Sequence, residues 1–318
     1  MKTILKHFDL SRFFLLIATL IVIVMFSVLS KHFLSVSNIL DIVRASGIIG
    51  LMGIGLTINQ ASGEFDFSIA GTASFAACLI AKIMVEGIPN FLVAFVITML
   101  AVLCVGMINS FNVLKIGMPS WVATLGLSTF LNGLNKFMTG GGNYYTRNWP
   151  SGFRALGQRF LFGVVPMPAV LFLIGAAIGL IIMHKTKTGR YIYAVGSNPI
   201  AAEHVGINVK KQKAIGFMLC SIYGGIAGVI AASMLGSVTP IMGDSNLLPA
   251  ISTSMLGATF LMPGVFNITG TMVGALLLSV ISNGLTMINA SFFMKDIIQG
   301  LVLMISIGMV ALLKKKTS

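Results

Sequence analysis

Two acidic residues lie close together in a sequence that has only eight. Glu64 and Asp66 occur in segment 62–68, which reads SGEFDFS and joins two apolar runs with almost no loop. Carboxylates at membrane depth are costly unless they face a cavity, a partner or an interface. We therefore predict that this segment braces or lines a polar path, and that Asp66 caps a helix beginning near Phe67. Direct contact with a solute and a plain solvated turn remain alternatives. The predicted residues of this segment are Glu64, Phe65, Asp66 and Ser68.

A second acidic turn occurs in the other half of the sequence. Asp244 and Asn246 lie between two prolines, ahead of a short run over 247–262 that is rich in serine and threonine. In both halves, a glycine and an acid thus precede a short helix with polar residues. Paired interrupted segments of this kind in inverted repeats indicate a central solute site. The predicted path also includes Asn109 and Asn283, for which a hydrogen bond between helices is the alternative.

The sequence offers no catalytic or metal-binding constellation. The pattern Gly-x-x-x-x-Gly-Lys-Ser/Thr is absent and the dipeptide Gly-Lys never occurs, so a phosphate-binding loop is not expected. The four histidines are scattered, and the three cysteines lie separately inside apolar runs, which is typical of small core residues. We predict a non-catalytic chain without a metal or cofactor of its own. The cysteines are Cys78, Cys104 and Cys220.

Composition places most of the chain in lipid. Hydrophobic residues make up 56% of the 318 residues and charged residues only 9%, whereas a soluble domain carries about a quarter charged residues. Helices of about 20 residues cross a bilayer, which predicts an all-α polytopic membrane protein with about ten transmembrane helices. It would form a single domain over 1–318, with inverted five-helix halves at about 13–139 and 166–313. The predicted spans are 13–30, 43–61, 67–85, 91–111, 119–139, 166–184, 213–235, 247–262, 265–289 and 295–313.

Basic residues predict the orientation of the chain. Both termini and segment 185–212 are rich in lysine and arginine, which favours the cytoplasmic side for all three. Six spans before that segment and four after it satisfy this pattern. Segment 140–165 opposes it, because it carries three arginines and no acid yet falls outside. The basic residues behind the net charge of +13 lie between apolar runs, so this charge does not indicate a nucleic-acid partner. The terminal basic residues are Lys2, Lys6, Arg12, Lys314, Lys315 and Lys316.

Segment 185–212 also predicts a short helix that needs a partner. Asn198 can cap it, Pro199 suits its first turn, and Gly206 can end it, which leaves about two turns with Glu203 near the centre. A helix this short is marginal in water on its own. Because the chain has no energy-yielding site, we interpret the segment as a docking surface for a separate motor protein.

The same segment carries a family resemblance. Residues 189–209, GRYIYAVGSNPIAAEHVGINV, closely resemble the coupling loop of permeases in the ribose and simple-sugar ATP-binding-cassette importers. The family signature GGIDLSVG is similar to segment 63–70, GEFDFSIA. Residues 119–126, PSWVATLG, and 282–285, SNGL, resemble further family blocks. The resemblance extends from about residue 39 to residue 313.

The resemblance implies partners and a role for each segment. It implies a second permease chain, two ATPase chains that hold ATP and magnesium, and an extracytoplasmic solute-binding protein, in the cytoplasmic membrane of a bacterium. The transported solute would be a monosaccharide or related small sugar. A nucleoside or autoinducer-2 permease is the alternative within this class, and a motor-independent carrier or channel is the alternative from another. The residues implied to contact the ATPase are Asn198, Pro199, Ala201, Ala202, Glu203, His204, Gly206 and Ile207.

Overall fold

The computed structural model describes residues 13–146 and 148–317, and for 312–317 it describes the backbone alone. Helices dominate this part of the chain. They are α1 (Phe14–Leu29), α2 (Val36–Ala61), α3 (Ile69–Lys82), α4 (Phe91–Phe111), α5 (Ser120–Thr139), α6 (Ser151–Gln158), α7 (Met167–Leu180), α8 (Lys187–Ser197), α9 (Pro199–His204), α10 (Val209–Leu235), α11 (Leu247–Gly257), α12 (Ile268–Met287) and α13 (Phe292–Thr317).

Short elements complete the description. π-helical turns extend α3 over Ile83–Gly87, α4 over Asn112–Ile116 and α7 over Ile181–Lys185, and a 3-10 turn at Asp244–Asn246 precedes α11. Two antiparallel ribbons pair β1 (Tyr144–Tyr145) with β4 (Ser237–Val238), and β2 (Phe160–Leu161) with β3 (Val165–Pro166).

The fold is that of an all-α polytopic membrane protein. Among the described residues, seven helical segments are long and apolar enough to cross a bilayer. They are Val36–Ala61, Ile69–Gly87, Phe91–Ile116, Met167–Lys185, Val209–Leu235, Ile268–Met287 and Phe292–Ala311. Three further predicted spans coincide with α1, α5 and α11, of which α1 has 16 residues and α11 only 11. The count of ten transmembrane helices therefore stays a prediction.

The helices divide the molecule into two ends. At one, the end of α2 contacts α8 through Ala61 and Gly196, and Glu64 reaches Lys213 in the first turns of α10. We call this the α9 end. At the opposite end, β1 pairs with β4 and Trp149 donates a hydrogen bond to the carbonyl of Gly236. Segments 185–212 and 140–165 thus lie at opposite ends, which agrees with the count of spans although the arginines of segment 140–165 opposed it. Lys2, Lys6, Arg12 and Arg147 lie outside the described residues, as do the side chains of Lys314, Lys315 and Lys316.

Helices α2 and α10 form the centre of the molecule. Small residues let several pairs of helices approach each other closely. A Cβ atom at Gly228 of α10 would lie 2.0 Å from the carbonyl oxygen of Ala73 in α3. A Cβ at Gly270 of α12 would lie 2.2 Å from the carbonyl oxygen of Gly257 in α11. Glycine is therefore required at both contacts, in agreement with the role of small residues in membrane helix packing.

The predicted extent of the helix over 247–262 and the predicted burial of Cys104 were wrong. The helix expected over 247–262 ends at Gly257, and the residues after it form a loop in which Leu261 and Gly264 have φ of +58° and +86°, values that a right-handed helix does not allow. Asn267 then holds the loop by donating from Nδ2 to the carbonyls of Gly257, Phe260 and Val265, and its Oδ1 caps α12. The second error concerns Cys104, which is exposed on α4 and is not a core residue, whereas Cys78 and Cys220 are buried.

Candidate functional site

Asp66 is the centre of a buried polar cluster between α2 and α3. Its side chain is 1% exposed, and its Oδ1 accepts hydrogen bonds from the backbone N–H of Ser68 at 2.9 Å and from the Ser68 hydroxyl at 2.6 Å. Asn109, near the end of α4, donates to the Ser68 hydroxyl oxygen at 2.7 Å and lies 3.4 Å from Asp66 Oδ1. Asp66 is not the N-cap of α3, since the helix begins at Ile69 after Ser68. Instead, Asp66 and Ser68 connect the link between α2 and α3 to Asn109 of α4.

Burial controls the charge of Asp66. Desolvation raises the pKa of this carboxyl from 3.8 to about 6, and the hydrogen bonds from Ser68 and Asn109 oppose that rise. The folded protein therefore holds the proton more tightly than the unfolded chain. The resulting stability is present below about pH 4 and is lost as the pH rises to about 6.

This linkage gives a testable pH dependence. We expect the melting temperature of the wild-type chain, relative to Asp66→Asn, to fall as the pH is raised from about 4 to about 6.5, because only the wild type must ionise a buried carboxyl. The measurement is thermal unfolding of both proteins in detergent. Asp41→Asn, at an exposed carboxylate on α2, is the control. A difference between wild type and Asp66→Asn that stays constant over this range would contradict the prediction.

The rest of the α2–α3 link is fastened to two other helices. Glu64 Oε1 accepts from Lys213 Nζ of α10 at 2.6 Å, and both side chains are mostly buried. The backbone N–H of Phe65 donates to the Ser120 hydroxyl and that of Phe67 donates to the Thr124 hydroxyl, both on α5. Segment 62–68 is therefore a junction of α2, α3, α4, α5 and α10, and not a solvated turn.

The second acidic turn lies at the start of α11. The backbone N–H of Gly243 donates to Ser74 Oγ of α3 at 2.9 Å, which fixes the turn against that helix. Both carboxylate oxygens of Asp244 accept from Asn132 Nδ2 of α5, at 3.0 and 3.4 Å. Asn132 has no distinguishing sequence motif and was not among the predicted residues. Asn246 closes the same 3-10 turn.

A polar cavity of about 300 Å³ lies beside this turn. Of the residues predicted to line a path, Asp244 and Asn246 line this cavity, whereas Asn283 on α12 does not. The Oδ1 atom of Asn283 is buried without a hydrogen-bond partner. The two acidic turns do not meet in one site, because segment 62–68 lies at the α9 end. The cavity is lined by Ile49, Asp244, Ser245, Asn246, Leu248, Pro249, Ser282, Lys295, Asp296 and Gln299.

The short helix α9 forms as the sequence predicts. Asn198 Oδ1 accepts from the backbone N–H of Ala201 at 3.0 Å, Pro199 occupies the first turn, and Gly206 has φ of +82° just beyond the end. Glu203 lies next to the last residue of the helix, His204, and not at its centre.

The two faces of α9 differ. Ala202 is 4% exposed and packs against the body, so it holds the helix in place. Ile200 and Val205 are 70% and 76% exposed, although both are apolar. Contiguous exposed apolar patches, and not single exposed side chains, are typical of interaction surfaces, and Ile200 and Val205 are the apolar residues that such a patch would include here. Neither residue was predicted individually. The other exposed residues of this segment are Asn198, Pro199, Ala201, Glu203, His204 and Gly206, while Ile207 is half-buried.

Helix α8 connects this surface to the body at both of its ends. A Cβ atom at Gly189 would lie 2.3 Å from the carbonyl oxygen of Ile182, beyond α7. A Cβ at Gly196 would lie 1.9 Å from the carbonyl oxygen of Ala61, the last residue of α2. Gly196 lies three residues before Pro199, so α9 follows closely after the backbone contact between α8 and the end of α2.

Comparisons with known proteins agree with this architecture. Residues 38–307 match the family described as branched-chain amino acid transport system / permease component. The chain is 31% identical to the ribose import permease protein of Bacillus subtilis (strain 168), over 95% of this chain and 94% of the relative. It is 31% identical to the ribose import permease protein of Escherichia coli (strain K12), over 92% and 91%. It is 30% identical to the autoinducer 2 import system permease protein of Enterobacter sp. (strain 638), over 96% and 87%. No solved structure is significantly similar.

Proposed function

Because the chain belongs to the family of branched-chain amino acid transport system permease components, we propose that it forms the membrane path of an ATP-binding-cassette importer for a monosaccharide or related small sugar. Members of this family are non-catalytic subunits, so ATP is hydrolysed in a separate ATPase, and a substrate-binding protein delivers the solute. The chain is a multi-pass membrane protein. We place it in the cytoplasmic membrane of a bacterium, as one of two permease chains in the importer.

The exposed apolar face of α9 is the observation that carries the coupling role. Ile200 projects from a helix of six residues that depends on its cap and on Ala202 for its position, and Val205 is the residue that follows this helix. Burial of such side chains in a groove of the ATPase would stabilise the complex by about 1.5–3 kcal/mol for each residue. The basic residues of segment 185–212 support a cytoplasmic position for this face.

The arrangement of the two halves supports a pair of inverted repeats. In the first half, the long helix α2 is followed by an acidic turn and the short helix α3. In the second, the long helix α10 is followed by the turn at Asp244 and the short helix α11. Helix α10 packs against α2, α3 and α4, and α2 packs against α10, α11 and α12. We infer that α2–α5 correspond to α10–α13, and that the solute passes near the acidic turns that precede α3 and α11.

Reconstitution tests this function. Proteoliposomes that contain the chain, its ATPase and the binding protein are expected to accumulate labelled D-ribose only when ATP is present. Liposomes with the chain alone are the control, and we expect no ribose uptake from them. Uptake by the chain alone, without ATP, would instead identify a motor-independent carrier or channel.

Autoinducer 2 is the second candidate solute, because a permease for this compound is among the similar proteins. The same proteoliposomes distinguish the two. Unlabelled D-allose or D-xylose in excess should reduce ribose uptake if the importer is for sugars. If autoinducer 2 inhibits uptake and these sugars do not, the transported solute is autoinducer 2.

A further inference from the structure

The polar cavity beside Asp244 lies at a depth where polar residues are costly. Ile49 is the fourteenth of the 26 residues of α2, so its position is about 20 Å from either end of that helix. Asn132, which bonds to Asp244, is the thirteenth of the 20 residues of α5. Charged side chains in membrane helices generally face a water-filled cavity and mark a pathway. The cavity therefore has the position of a central chamber.

The wall of the chamber is held rigidly. Gly243 is fixed by Ser74, and a Cβ at this position would lie 2.3 Å from the carbonyl oxygen of Ala70. Asn132 then orients the carboxylate of Asp244 from the opposite side. Its own Oδ1 atom is buried without a hydrogen-bond partner. Preorganised groups of this kind bind a ligand with little loss of conformational entropy.

The chemistry of the lining indicates which solutes fit. Hydroxyl and amide groups come from Ser245, Ser282, Asn246 and Gln299, and carboxylates come from Asp244 and Asp296, with Lys295 as the cation. Such groups form hydrogen bonds with the hydroxyl groups of a polyol. Two carboxylates against one ammonium leave a formal charge of −1, which repels an anion.

We propose that this chamber is one half of a solute site that accepts neutral polyhydroxylated molecules and excludes anionic ones, such as sugar phosphates. The other half would come from the second permease chain, because Asp244, Ser245 and Leu248 are exposed on the open side of the cavity. The inference rests on the proposed function for the identity of the solute. The charge selection of the chamber is a property of this chain and can be measured without the ATPase or the binding protein.

Cysteine labelling tests the charge selection without transport. Ser282→Cys, in a Cys104→Ala background to remove the exposed thiol, places a thiol in the chamber. We expect a methanethiosulfonate reagent with a trimethylammonium group to react with it at least about tenfold faster than one with a sulfonate group, because a negatively charged cleft concentrates cations. Asp244→Asn alone, which leaves Asp296 against Lys295, should reduce this ratio to near one, and the further change Asp296→Asn, which leaves only Lys295 charged, should invert it. No labelling, or equal rates in the chain with both aspartates, would overturn the proposal.

Ribose uptake tests the solute contact. In the reconstituted importer, Asp244→Asn is expected to reduce ribose uptake at least about tenfold while the ATPase still co-purifies with the chain. Asp41→Asn is the matched control at an exposed carboxylate and should leave uptake unchanged. If the wild type does not transport ribose but the labelling ratio is as expected, the proposed function is wrong and the charge selection of the chamber is confirmed. If ribose is transported and Asp244→Asn has no effect, the chamber is not the solute site.

Discussion

Ile200→Arg or Val205→Arg is expected to abolish ATP-driven uptake while the chain still inserts and folds. Ile200 and Val205 are 70% and 76% exposed, so a longer, charged side chain meets no steric barrier in the isolated chain. In a complex, the same side chain would be an unpaired charge inside an apolar groove. Substitutions at the centre of an interface commonly cost 2 kcal/mol or more. This corresponds to about a thirtyfold loss of affinity, and the double variant Ile200→Arg/Val205→Arg should lose more.

Co-purification of the ATPase with tagged chain is the measurement, followed by ribose uptake. Val164→Arg is the matched control, because Val164 is an exposed valine, 57% accessible, at the end of the molecule opposite α9. It should retain the ATPase in full. Retention of the ATPase by Ile200→Arg/Val205→Arg would contradict a docking role for α9. Ala202 is unsuitable for this purpose, because a large residue at a buried position would displace the helix itself.

The sequence was sufficient for elements that depend on local patterns. Apolar runs located the long helices to within a few residues, except at the start of α2, which begins at Val36 and not near residue 43. The cap, proline and glycine around α9 predicted that helix because their effects act within a turn. The non-helical loop after Gly257 was missed, since the apolar run continues to Met262 and only the sequence Pro263-Gly264 signals a break.

Contacts between distant segments could not be read from the sequence. The pairing of Asn132 with Asp244 joins residues 112 positions apart, and that of Glu64 with Lys213 joins residues 149 positions apart. Lys295, Asp296 and Gln299 look like an ordinary polar entry to the last helix. Only the packing of α13 beside α11 and α12 places them at the cavity. Periodicity identifies a face of a helix, but it does not identify the helix on the other side.

We propose that motion of α9 reaches the path through the glycine pair in α8. Gly196 presses against the last residue of α2, and Gly63, with φ of +90°, begins the link on the other side of this contact. The link holds Glu64, whose partner Lys213 belongs to α10. If the ATPase displaces α9, as proposed, the movement would act on both central helices through the backbone contact of Gly196 and the Glu64–Lys213 ion pair. The contact at Gly196 involves backbone atoms of α2, whereas the ion pair joins two long side chains.

Gly196→Ala is accordingly expected to uncouple ATP hydrolysis from transport. The new Cβ would lie 1.9 Å from the carbonyl oxygen of Ala61, so the two backbones must separate by about 1.5 Å to restore a contact of 3.4 Å. Overpacking of this size costs about 1–3 kcal/mol. We expect ribose uptake to fall at least about tenfold while the ATPase stays bound, because the exposed face of α9 is unchanged.

Two measurements separate uncoupling from misfolding. The melting temperature of Gly196→Ala in detergent should stay within a few degrees of the wild type, and ATP hydrolysis by the assembled importer should continue without the uptake it normally drives. Gly87→Ala is the control, because a Cβ at Gly87 has nothing within 4 Å. Normal uptake by Gly196→Ala would show that α8 can move away from α2 without a loss of transport. The force from the ATPase would then have to reach the path by another route, such as the contact of α8 with α7 at Gly189.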